Sequence, residues 1–84
     1  MVHDLKILSP FFNAICEGVK TFEIRKNDRN FNVGDILHLK EYCPKTKTYS
    51  DYHVNVKVIY ITVGASFGLE KGFVVMGIQL LREH

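Results

Sequence analysis

The stretch Gly18-Val19-Lys20-Thr21-Phe22-Glu23-Ile24-Arg25 concentrates the groups that could do chemistry in this chain, a lysine, a carboxylate and a guanidinium in a G-x-K-x-x-E-x-R spacing. If the residues from Thr21 run as a strand, Glu23 and Arg25 share one face and lie within about 7 Å of each other. A carboxylate beside a guanidinium suits accepting an exocyclic amine, such as that of cytosine, better than proton donation. The planar fork of Arg25 suits a phosphate or carbonyl oxygen. Lys20 breaks the strand parity, so it precedes the strand, swung out by the turn after Gly18. From there it can contact phosphate or, once desolvated, move a proton. The plainer readings are a surface ion pair worth under about 1 kcal/mol and a solvated lysine favoured by the dipole at a helix C-terminus.

Lys26, Asp28 and Arg29 follow as a charged segment, so Lys20, Arg25, Lys26 and Arg29 place four of the eleven basic residues within ten positions. They form either a phosphate-facing rim or a solvated loop in which Asp28 caps its own turn. Tyr42, Tyr49, Tyr52 and Phe67 could stack on bases, or lie half-buried on strands. Ser66 has no His–Asp arrangement near it and is not a nucleophile candidate. Cys16 and Cys43 are too few and too far apart for a disulfide framework and read as small buried hydrophobes. His3, His38, His53 and His84 share no ligand spacing, so no metal and no cofactor is expected.

The elements that must hold these residues are legible from periodicity. Asp4-Leu5-Lys6-Ile7-Leu8 alternates as a short strand. Ser9-Pro10 reads as an N-cap followed by proline in the first turn. Ile15 and Val19, with Phe11 or Phe12, fall at helical spacing, and Gly18 supplies a left-handed cap, which predicts a helix from Pro10 to about Glu17. From Thr21 the period changes to two, with Phe22 and Ile24 on the face expected to enter the core. Further strands are expected over Asp35–Tyr42, Val54–Val63 and Phe73–Leu80, the second being a long β-branched run. Gly64 to Gly72 reads as a hairpin connection. Five or six strands and one early helix predict a mainly β member of the α+β class, a small barrel, curled or closed, with the helix capping it.

Composition bounds the rest. At 84 residues, 46% hydrophobic and 24% charged, one domain over 1–84 is expected, with a modest core. A net charge of +2 does not suit a protein that coats nucleic acid by charge alone, so a polyanion would need a local patch or a shaped pocket. Apolar runs are far shorter than the roughly 20 residues of a membrane span. The opening Met1-Val2-His3-Asp4-Leu5-Lys6 has no apolar leader core, so a cytoplasmic protein without membrane partners is expected.

Together, the capped helix, the G-x-K-x-x-E-x-R pattern and the following Val33-Gly34-Asp35 turn resemble the ASCH domain, a branch of the PUA-like barrel superfamily. The resemblance runs from His3 to Ile78 and is closest to short stand-alone members. It implies a PUA-like barrel and RNA binding in a cleft between helix and barrel. Some relatives resemble amidohydrolases of acylated cytidine, in which a lysine matching Lys20 and a strand threonine act with a distal glutamate. Here Glu23 stands at the threonine position, and Glu70 is the candidate for the distal carboxylate.

The favoured expectation is a small RNA- or nucleotide-binding module using Lys20, Glu23, Arg25, Lys26 and Arg29. The alternatives are a small hydrolase of a modified nucleoside, with Lys20, Glu23 and Glu70 as catalytic candidates, and a non-catalytic interaction domain. The missing threonine weighs against the hydrolase. With Arg25 engaged by Glu23, two or three cations remain for phosphates. Single-stranded RNA binding should then weaken with salt at a log–log slope of about −1.5 to −2, and a slope steeper than about −4 in a salt titration would reveal a broad basic surface instead.

Overall fold

The computed structural model describes residues 1–65 and 67–82. The readings made for Ser66 and His84 lie outside the described residues. The chain forms β1 (Val2–Leu8), α1 (Ser9–Cys16), β2 (Phe22–Lys26), β3 (Ile36–Cys43), β4 (Thr48–Val63) and β5 (Phe73–Leu80). The strands make one sheet in the order β1-β3-β4-β5-β2, with β1 and β3 parallel and the other pairs antiparallel. This mixed sheet curls into a half-barrel with one short helix, a mainly β fold of the α+β class.

The core follows from strand alternation. Leu5 and Ile7 of β1, Leu37 and Leu39 of β3, Val56 and Val58 of β4, and Val74, Met76 and Ile78 of β5 are all buried. Phe12 and Ile15 of α1 pack onto this cluster, and Phe31 joins it from the loop before β3. Of the two helical readings, therefore, Phe12 points inward and Phe11 stays half exposed. Val19 lies beyond the helix end and is exposed. Leu8, not Ser9, occupies the cap position, and the Ser9 hydroxyl instead donates to the Tyr42 carbonyl at 3.4 Å. Proline sits in the first turn as its chemistry requires. Gly18 adopts φ +77°, and the Gly18, Val19 and Lys20 amides donate back to the Ile15 and Ala14 carbonyls. That left-handed closure ends the helix and sets Lys20 ahead of β2.

A second polar anchor sits at the start of β3. Asp35 is buried and pairs with His3 at 2.9 Å, and it also accepts from the Asn32 amide at 3.0 Å. The His3 hydrogen bond holds the Asp35 carboxyl below the usual carboxylate range, and the Asn32 amide adds to this. The His3 ring meets Phe31 edge-on at 4.8 Å. Burial of both partners ties β1 to the β3 entry.

Two further expectations need correction. Phe22 and Ile24 are not core residues: they are 43% and 50% exposed, whereas Glu23 is 7% exposed. Glu23 lies opposite Met76 and Arg25 opposite Val74, so the polar pair takes the inner face of the half-barrel. Alternation shows which residues share a face, but not which face is inside. The inner side of β2 opens onto a groove, so its polar face is inward. Cys16 is exposed and Cys43 half-buried, so the cysteines are not both buried hydrophobes. Cys16 is the last residue of α1 and stays exposed there, although Phe12 stands four positions before it.

Leu39→Ala should cost about 2–5 kcal/mol in urea unfolding, because it opens a cavity in a fully buried site. Phe22→Ala should cost clearly less than Leu39→Ala, and equal losses would restore Phe22 to the core.

Candidate functional site

The strands at the two ends of the sheet, β1 and β2, do not pair with each other. Between them, against α1, lies a groove of about 740 Å³. Leu5, Ile7 and Leu8 of β1 form one apolar wall, and Phe22 and Ile24 of β2 form the other. Phe11 and Phe73 close it from the helix and from β5. Among the described residues, Lys6, Lys20, Arg25, Lys26 and Arg29 line it against two carboxylates, Glu23 and Asp28.

Glu23 organises the floor. Its Oε1 accepts from Lys20 Nζ at 3.2 Å and its Oε2 from Arg25 Nε at 2.8 Å. Lys20 also donates to the Phe22 carbonyl at 2.6 Å, and its ammonium sits 4.4 Å from the centre of the Phe22 ring. The free arm of Arg25, Nη2, donates to the backbone carbonyl of Lys6 on the opposite strand. One guanidinium therefore bridges the two unpaired edges and steadies the Glu23 carboxylate. A carboxylate carrying two cations, with side-chain exposures of only 9%, 16% and 24% for Glu23, Lys20 and Arg25, is worth more than a solvated surface pair.

All five residues expected to bind a ligand therefore line one groove. Lys20 and Arg25 are committed to Glu23 and to backbone carbonyls, which leaves Lys26 and Arg29 as the freer cations among the expected set. Asp28 lines the rim, while the neighbouring Asn27 caps the loop, its Oδ1 accepting from the Phe31 amide at 3.1 Å. Glu70 is exposed on the loop before β5 and does not line the groove. Its backbone carbonyl instead crowds Gly64, where a Cβ would meet it at 2.1 Å. Sequence reasoning missed Lys6, because nothing local in β1 reveals that sheet order brings it opposite Arg25. The exposed lysine between buried Leu5 and Ile7 was the only signal.

The fold is a mainly β half-barrel with a basic, aromatic-walled groove between its edge strands. The chain belongs to the family described as "Domain of unknown function (DUF3850)", which matches residues 2–78. It is similar to an uncharacterised 12.9 kDa protein in the GpA 3′ region of Escherichia phage P2, 42% identical over 41 residues. That match covers 49% of this chain and 38% of the phage protein. The crystal structure of hypothetical protein PH0355 shares the fold, with a TM-score of 0.66, 20% identity, and coverage of 96% of this chain and 100% of that one.

Glu23→Gln removes the charge that holds Lys20 and Arg25 and should lower stability by about 1–3 kcal/mol in chemical denaturation. Unchanged stability would mean that the three side chains are independently solvated.

Proposed function

We propose that this chain is a cytoplasmic RNA- or nucleotide-binding module of the ASCH, PUA-like kind, taking a nucleotide unit into the groove between α1, β1 and β2. The observation that carries this reading is the groove's composition, with apolar walls of Phe11, Phe22 and Phe73 beside a rim of Lys26 and Arg29. Flat aromatic walls suit a base, and the rim suits phosphate. Glu23 keeps acceptor capacity on both oxygens beyond its two cations, which suits a base amine at the floor. The placement of Lys20, Glu23 and Arg25 in one groove supports the ASCH resemblance.

The hydrolase reading draws on the contact between Lys20 and Glu23. It is weakened by Lys20 Nζ acting as a donor to two acceptors, which suits a charged positioning group more than a free amine base.

Short single-stranded RNA should bind the wild-type protein in a fluorescence titration, and Lys26→Ala combined with Arg29→Ala should weaken it at least tenfold without lowering the melting temperature. No binding by the wild type, together with turnover of an acylated cytidine that Lys20→Ala abolishes, would favour the hydrolase. Neither activity would leave an interaction domain.

A further inference from the structure

On the outer face of the half-barrel, away from the groove floor, Asp4 of β1, His38 of β3 and His53 of β4 form a chain of contacts. Asp4 lies directly opposite His38 in the parallel pairing, and His53 sits one step diagonally across the β3–β4 ladder, where His38 faces Asn55 and Lys40 faces His53. All three side chains share the face opposite the buried Leu5, Leu37, Leu39 and Val56. Asp4 Oδ1 meets His38 Nδ1 at 2.8 Å, and His38 Nε2 meets His53 Nδ1 at 2.9 Å. Among the described residues no group of three or more His, Cys, Asp or Glu side chains forms a metal-holding set. A pair of imidazoles from neighbouring strands can nevertheless chelate.

We propose that His38 and His53 form a two-imidazole site for a borderline divalent cation of the zinc type, with water completing the coordination and Asp4 positioning His38. An ionised carboxylate can only accept, so the proton on His38 sits on Nδ1 and the Nε2 lone pair is presented outward. A carboxylate orienting one ring nitrogen while the other binds metal is the common outer-shell arrangement of metal-ligating histidines. With both rings neutral, the contact between His38 Nε2 and His53 Nδ1 is donated by His53. A cation replaces that proton when His53 shifts to its other neutral tautomer, so no net proton is released.

The spacing also fits. Two nitrogens each about 2.0–2.1 Å from a tetrahedral zinc lie roughly 3.3 Å apart, so the 2.9 Å pair must open by less than half an ångström. His53 is exposed and can rotate to do so. Lys40 and Arg29 are close enough to act on Asp4 electrostatically, and their charge tempers the affinity. Imidazole ligands select zinc-like ions over hard cations, so magnesium should not compete.

The test is zinc titration of untagged protein, followed by the histidine ring signals in NMR and by calorimetry. Wild type should take up one zinc with the His38 and His53 signals shifting together. His38→Gln and His53→Gln should each weaken binding at least tenfold, and Asp4→Asn by about tenfold or more through loss of orientation. These positions are on the surface, so metal-free melting temperatures should stay close to wild type, while zinc should raise the wild-type value alone. No zinc uptake by the wild type, uptake that survives His53→Gln, or equal displacement by magnesium would each overturn the site.

Discussion

Two strand edges that face each other without pairing govern this molecule. A sheet edge leaves backbone donors and acceptors open, and small β proteins must close, cover or charge it. Here β1 and β2 approach but do not join, and Glu23, Arg25 and Lys20 occupy the opening. The guanidinium satisfies one edge carbonyl, that of Lys6, and the carboxylate keeps the two cations from repelling each other. A fully closed barrel would have no groove at this point. The candidate binding site and the incompleteness of the barrel are thus one feature.

Much of this was readable from residue order. The final strand, Phe73–Leu80, the β-branched run within β4 and the left-handed turn at Gly18 follow from local chemistry, and each is found as expected. The polar start of β4, Thr48 to His53, escaped notice because its side chains are exposed and its only partner is β3. The orientation of β2 escaped for a different reason. Five residues with perfect alternation carry no information about which side the rest of the chain will cover. Sheet order decides that, and it depends on β5, some fifty residues away. Lys6 was invisible on the same ground, since its importance comes from a neighbour in space.

β1 serves both surfaces at once. Leu5 and Ile7 fasten it to the core, His3 fixes it to Asp35, Lys6 gives its carbonyl to Arg25 and Asp4 steadies His38. Arg29, on the groove, is also among the charges near enough to act on Asp4.

The pairing order has a consequence for how the chain assembles during synthesis. β1 leaves the ribosome first, yet its partner β3 begins 34 residues after Val2, at Ile36. At about 5–20 residues per second, an apolar strand waits for several seconds before it can pair. β2 waits longer in proportion, since it pairs with β5, about fifty residues further along. The β3–β4 and β4–β5 hairpins close over shorter separations. The β2 wall of the groove is therefore the one that cannot be set until β5 is made, and a nascent chain without β5 holds the motif residues without the strand that pairs with them.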